Sequence, residues 1–130
     1  HQNIGLGMTG ELEQPMDEAS FLTFVKEKMQ AGGIRHSAFT GREIKKVAVL
    51  GGSGSFAIKN AIAAGADAYL TADLKYHQFY EAEGKLLLAD IGHYESERYT
   101  ADYMAGFLKN AGVTVPVILS KTDTNPVKYF

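Results

Sequence analysis

The chain has 130 residues, of which 45% are hydrophobic and 22% charged, with a formal net charge of -2; this is the profile of one globular domain large enough to bury a core. It contains no cysteine, which excludes disulfide frameworks and thiolate metal sites and makes a reducing cytoplasm the expected compartment. No apolar run approaches the ~20 residues that span a bilayer, no cationic segment leads into a signal-peptide core, and Lys45-Lys46 is the only basic cluster, so nothing suits a nucleic-acid backbone.

The chain opens on His1 rather than Met, so it is expected to be a piece of something longer, with His1 to Asn3 either native or a remnant. The Gly-rich stretch Ile4 to Leu12 predicts a first strand, and Pro15 leads into a helix. Asp17 is the expected N-cap, with Met16 and Phe21 placed as a hydrophobic staple. Phe21, Leu22, Val25, Lys28 and Met29 keep helical spacing, so this helix should pack through Phe21, Val25 and Met29 until Gly32-Gly33 stops it. Ile34 to Phe39 predicts a short strand, and Lys46 to Leu50 a clearer one, apolar enough for burial on both faces. After the turn Gly51-Gly52-Ser53-Gly54 come an expected helix over Ser55 to Ala64, a strand over Ala68 to Thr71, and a helix capped by Asp73 that reaches about Glu83. Leu86 to Ile91 predicts another buried strand. The last long helix is expected over Ser96 to Asn110, with Tyr99, Tyr103, Met104, Phe107 and Leu108 as its apolar stripe. Ala111-Gly112 should end it, and Val115 to Leu119 is predicted as the final strand before a polar tail. The alternation implies a single α/β domain over residues 1–130, with a mostly parallel or mixed sheet and helices on both faces. There is no internal repeat and no low-complexity linker.

Ligands of parallel α/β sheets bind beyond the carboxyl ends of the strands, and three such loops carry chemistry-bearing residues. In the first, Gly52, Ser53 and Gly54 are candidates for an anion- or substrate-binding nest. The loop lacks the Lys-Ser/Thr close of a P-loop, and a plain tight turn is the commoner use of such glycines. The second loop, TADLKYH, places Asp73, His77 and Glu81 at successive helical i, i+4 positions, as a metal or acid–base cluster or as a surface ion-pair ladder. The third, DIGHYESE, sets His93 and Glu97 one helical turn apart, with Glu95 pointing roughly 200° away. An imidazole and a carboxylate suit Zn, Mn or Fe rather than Ca. Two ligands are fewer than the three protein ligands of a catalytic zinc site, so other segments must help. Spacing alone does not separate His93/Glu97 from His77/Glu81.

The succession KVAVLGGSGSF, GADAYLTADLKYH, LLLADIGHYESE and KTDTNP, with GLGMTGEL opening the chain ahead of Pro15, resembles the C-terminal half of the NGG-interacting-factor-three-like family. Its members are also called dinuclear metal-centre proteins or GTP cyclohydrolase I type 2 homologs. The resemblance covers nearly the whole chain, and the pairing of TADLKYH with GHYESE is its specific part. It implies two related α/β lobes facing each other across a two-metal cleft, some members carrying an inserted domain between them. Here the N-terminal lobe and any insertion are absent. It makes His93 and Glu97 the metal ligands of this lobe and places His77 and Asp73 along the cleft, as candidates for a proton shuttle. The chain departs from the family in Ala72, where TGD is common, and in Met8, where an Arg often stands.

By that resemblance, the longer protein is expected to hold two divalent metal ions and to be a metal-dependent hydrolase. The family name suggests GTP ring opening as its chemistry. The alternative is a non-enzymatic metal-binding regulatory or scaffold protein that forms a ring-like homo-oligomer. This piece alone is expected to bind metal weakly or not at all, and to be inactive.

Overall fold

A computed structural model describes residues 5–130; the start of the expected first strand at Ile4 lies outside the described residues. The elements run β1 (Met8–Met16), α1 (Glu18–Met29), β2 (Arg35–His36), β3 (Ile44–Ser53), a 3₁₀ turn (Ser55–Ala57) continuing into α2 (Ile58–Ala63), β4 (Ala68–Ala72), a second 3₁₀ segment (Tyr76–Ala82), β5 (Leu87–Asp90), α3 (His93–Glu97) and α4 (Thr100–Asn110). The strands form one mixed sheet in the order β1-β3-β4-β5-β2. β3, β4 and β5 are parallel neighbours, while β1 pairs antiparallel with β3 and β2 antiparallel with β5.

The central strands alternate their side chains between two cores, as the period of two dictates. Ala68, Leu70, Leu87 and Ala89 meet Phe21 and Val25 of α1 on one face. Tyr69 and Leu88 meet Ile58 and Ala61 of α2 on the other. Helices thus cover both faces, as the continuous apolar runs of β4 and β5 require. Each fully buried large side chain here, such as Phe21, Ile58 or Leu87, contributes ~1.5–3 kcal/mol. Asp17 caps α1 by accepting the Ser20 N–H at 2.9 Å, and Met16 and Phe21 join the same cluster.

Several elements differ from the sequence expectation. Pro15 lies within β1 rather than ahead of a helix. It falls in the stretch where the pairing with β3 shifts between Glu11 and Met16, and an edge strand tolerates its missing N–H. α1 ends on Gln30, which takes the left-handed conformation itself, ahead of Gly32-Gly33. The strand expected over Ile34 to Phe39 shrinks to Arg35–His36. The helix after Asp73 is a 3₁₀ segment with Lys75 before its first residue, and Asp73 is no cap: its φ of 56° makes it the turning point out of β4. The long helix expected from Ser96 is two helices, α3 and α4, separated at Arg98-Tyr99. Val115 to Leu119 forms no strand. The sheet ends on β1 and β2 instead, and Val115 and Ile118 remain exposed. The apolar stripe of α4 is likewise uncovered, with Tyr103, Met104 and Phe107 exposed and Ala105 the residue it buries. Among the described residues no helix is long and apolar enough to cross a membrane.

Candidate metal centre

Parallel register brings the carboxyl ends of three strands to one edge of the sheet. Ser53 of β3 pairs with Ala72 of β4, and Thr71 of β4 with Asp90 of β5. The end of β3 carries Gly52 and Ser53 with Gly54 following, Asp73 follows β4, and Gly92 leads from β5 into α3 at His93, so residues far apart in sequence meet there.

The glycine loop is a seat for α3. Gly52 has φ 68°, and a Cβ on it would stand 2.5 Å from Glu97 Oε1 and 3.2 Å from His93 Nε2. Only glycine leaves room for both side chains. The Gly52 N–H donates to Ser96 Oγ at 2.8 Å, and the Ser96 hydroxyl donates to the His93 carbonyl at 2.8 Å. From below, the hydroxyls of Tyr69 and Thr71 donate to the carbonyls of Gly54 and Gly52. A Cβ on Gly54 would sit 2.2 Å from Thr71 Oγ1. Gly52 therefore positions α3 and stands against the Glu97 carboxylate, while Gly54 fits the loop onto Thr71 and Tyr69.

His93 lies between two carboxylates. Its Nδ1 is 2.5 Å from Asp73 Oδ2, and its Nε2 is 3.2 Å from Glu97 Oε2. The Ser53 hydroxyl donates to the same Asp73 oxygen at 2.5 Å. The Ser53 bond, then the His93 bond, hold the Asp73 carboxyl below its ordinary range. The Asp73 hydrogen bond, against partial desolvation, raises the His93 imidazole above its ordinary value. With a carboxylate on Nδ1, the neutral ring keeps its proton there, and the Nε2 lone pair faces Glu97. Lone pair and carboxylate repel unless a proton, which makes the ring an imidazolium donating to Glu97, or a metal cation stands between them. A carboxylate–imidazole pair orienting a metal-binding nitrogen is the common arrangement around bound zinc, and the N/O donor set suits Zn, Mn or Fe. The residues present fit such an ion. They do not complete its shell: among the described residues no group of three or more His, Asp or Glu side chains converges on one point, since Asp73 occupies the other ring nitrogen.

Sequence reasoning missed the residue that holds the two loops together. Asp90, the buried end of β5, accepts the N–H of Leu74 at 3.0 Å and of Gly92 at 3.1 Å and pairs with Arg35. Arg35 also donates to the Leu74 carbonyl at 2.9 Å. One carboxylate thus fixes the residue after Asp73 and the residue before His93. The available signal was an aspartate closing an apolar strand, LLLAD, directly before Gly92. Glu95 points away from the pair, as expected, but into the protein: it is buried and accepts Asn125 Nδ2 at 3.3 Å. His77 lies exposed on the 3₁₀ segment, where three residues per turn take Glu81 off its face. A cavity of about 1110 Å³ opens beside His93 and Glu97, walled by α3, α4 and the C-terminal segment; Asp73 lines it and His77 does not.

The family model described as Duf34/NIF3 (NGG1p interacting factor 3) matches residues 1–126. A Bacillus subtilis relative named GTP cyclohydrolase 1 type 2 homolog is 35% identical over 129 residues, which are 96% of this chain and 35% of the relative. One of the same name from Campylobacter jejuni is 37% identical over 120 residues, 92% of this chain and 47% of the relative. Among solved structures, Staphylococcus aureus protein SA1388 matches with a TM-score of 0.84 at 27% identity, over 97% of this chain and 42% of that one. A Bacillus cereus protein related to NIF3 matches with a TM-score of 0.81 at 29% identity, over 97% and 36%. The chain spans less than half the length of each of these relatives.

Proposed function

Because the chain belongs to the Duf34/NIF3 family, we propose that it is one lobe of a dinuclear metal-binding protein and supplies His93 and Glu97 as ligands of a shared divalent metal centre. The observation that carries this reading is the His93 Nε2–Glu97 Oε2 pair at 3.2 Å, with the opposite ring nitrogen held by Asp73. Asp73 sets the tautomer, Ser53 sets Asp73, and Gly52 gives the pair its space. When bound, divalent metals supply a Lewis acid and an activated water for hydrolysis. The longer protein is accordingly read as a metal-dependent hydrolase of the cytoplasm, and the name its relatives share offers GTP as the first substrate to try. The uncovered stripe of α4 supports a further lobe or subunit against this one, as a ring-like homo-oligomer would provide. A second reading, metal carriage without catalysis, draws on the two sequence candidates for a proton shuttle: His77 stands outside the cavity, and Asp73, which lines it, is engaged by His93 Nδ1 and Ser53.

The test is a Mn²⁺ titration of the chain followed by paramagnetic broadening of amide resonances, which registers weak binding. Broadening should centre on Gly52, His93 and Glu97 and vanish in His93→Ala. Broadening centred elsewhere, or unchanged in that variant, would remove the assignment.

A further inference from the structure

Beside the large cavity lies a smaller one of about 400 Å³, between Tyr94, Arg98 and the segment from Ser120 to Asn125. Arg98 follows Glu97 directly, and its guanidinium stands 5.6 Å from the ring centres of both Tyr94 and Tyr99. Both rings lie within cation–π range of the planar fork. Among the described residues neither Arg98 nor Lys121, which lines the same cavity, has a carboxylate within ion-pair distance.

The acids that border this cavity are already engaged. Asp123 accepts the Asn125 N–H at 2.9 Å and pairs with Lys128 at 3.2 Å. Glu95 is buried against Asn125. Ser120 Oγ accepts the Thr122 N–H at 3.2 Å, which leaves its own hydroxyl proton to donate. With Asp123 held by Lys128 ahead of Arg98, two cations outside ion-pair distance of any described carboxylate and the Ser120 hydroxyl around one polar cavity are the complement of an oxyanion. Arg contributes a bidentate fork and Lys a point charge.

We propose that this cavity, through Arg98, Lys121 and the Ser120 hydroxyl, binds the phosphate or carboxylate end of a small molecule. The cavity shares Tyr94, Glu95 and Arg98 with the larger one, so a molecule anchored here extends toward His93 and Glu97. Calling that molecule a substrate rests on the metal-centre reading; the oxyanion site itself does not.

The test titrates inorganic phosphate, and separately malonate, into metal-free protein and reads amide shifts at Arg98, Ser120 and Lys121. The wild type should show saturable shifts at all three with at least one anion, and the stronger anion identifies the headgroup. Arg98→Met should weaken binding by about tenfold or more, the loss of one charge-assisted pair. Lys121→Ala, on the exposed segment, should weaken it several-fold with the fold undisturbed. No saturable shift with either anion, or equal affinity in Lys121→Ala and wild type, overturns the proposal. Mn²⁺ broadening measured on anion-free portions of the same protein separates the two readings. Anion binding with or without Mn²⁺ broadening leaves this site standing, and Mn²⁺ broadening at His93 without anion binding leaves the metal centre alone.

Discussion

Replacing Gly52 by alanine separates backbone strain from the geometry of the site, provided Gly65 is changed in parallel. The two glycines have nearly the same left-handed φ, 68° and 69°, but a Cβ at Gly65 meets nothing within 4 Å, whereas one at Gly52 stands 2.5 Å from Glu97 Oε1 and 3.2 Å from His93 Nε2. Both variants carry the left-handed cost of a Cβ, about 1–2 kcal/mol. In a domain of this size that lowers Tm by roughly 3–8 °C. The Glu97 carboxyl is the end of a flexible side chain, so it can swing aside cheaply, and the two variants should agree in stability to within about 1 kcal/mol. Their metal response should not agree. Moving Glu97 separates the two donors, so Gly52→Ala should lose Mn²⁺ broadening by a factor of about ten or more, while Gly65→Ala keeps it. Thermal melts and the Mn²⁺ titration read the two quantities independently. Equal Mn²⁺ binding in the two variants would refute the argument that Gly52 makes room for a working ligand pair.

Asp73→Asn keeps the size of the side chain but withdraws the carboxylate that fixes the His93 proton; ¹⁵N shifts of the ring should then show the proton no longer confined to Nδ1, and an unchanged tautomer would remove Asp73 from its role. Asp90→Ala leaves the N–H groups of Leu74 and Gly92 without their acceptor, which should cost about 2–4 kcal/mol in urea unfolding. It should also loosen both loops that carry Asp73 and His93; a loss under about 0.5 kcal/mol would show that water replaces the carboxylate. Asp17, held below its ordinary range by the Ser20 hydroxyl and then the Ser20 N–H, has its folded value depressed. Its cap therefore contributes fully above the unfolded carboxylate range and is lost as pH falls through the folded value. The stability difference between wild type and Asp17→Ala should shrink over that acid window, and a difference independent of pH would refute the ionised cap.

The sequence made the framework legible because the framework is local. Asp17 and Phe21 announce α1 within one turn, and the apolar runs at Leu70 and Leu88 announce strands buried on both faces. The run at Val47, expected to be buried likewise, leaves Val49 exposed on a strand that has only the edge strand β1 outside it. What stayed hidden depends on partners distant in the chain. Asp73 reads as a helix cap from its neighbours, yet its carboxylate goes to Ser53 and His93, each twenty residues away. Asp90 and Glu95 read as ordinary acids until the fold buries them against Arg35 and Asn125. Val115 to Leu119 has the composition of a strand, but composition does not say whether a sheet will take it up, and this one ends on β1 and β2.

The same distinction explains why spacing could not rank His93/Glu97 above His77/Glu81. Both pairs are four apart, and the reading of each assumed an α-helix. The segment after β4 winds as a 3₁₀ turn and parts His77 from Glu81, whereas α3 winds as assumed and brings Glu97 to 3.2 Å from His93. Family resemblance pointed to the pair that geometry also favours, but only geometry explains Asp73. By taking Nδ1, Asp73 commits Nε2 to the cavity side and forfeits any place in the same metal's shell. On the proposed metal reading, a third donor approaches from the open side of the pair, since the described residues supply no third ligand there. That reading predicts a Mn²⁺ affinity that rises steeply when a second body closes over the pair; equal affinity with and without it would refute the shared centre.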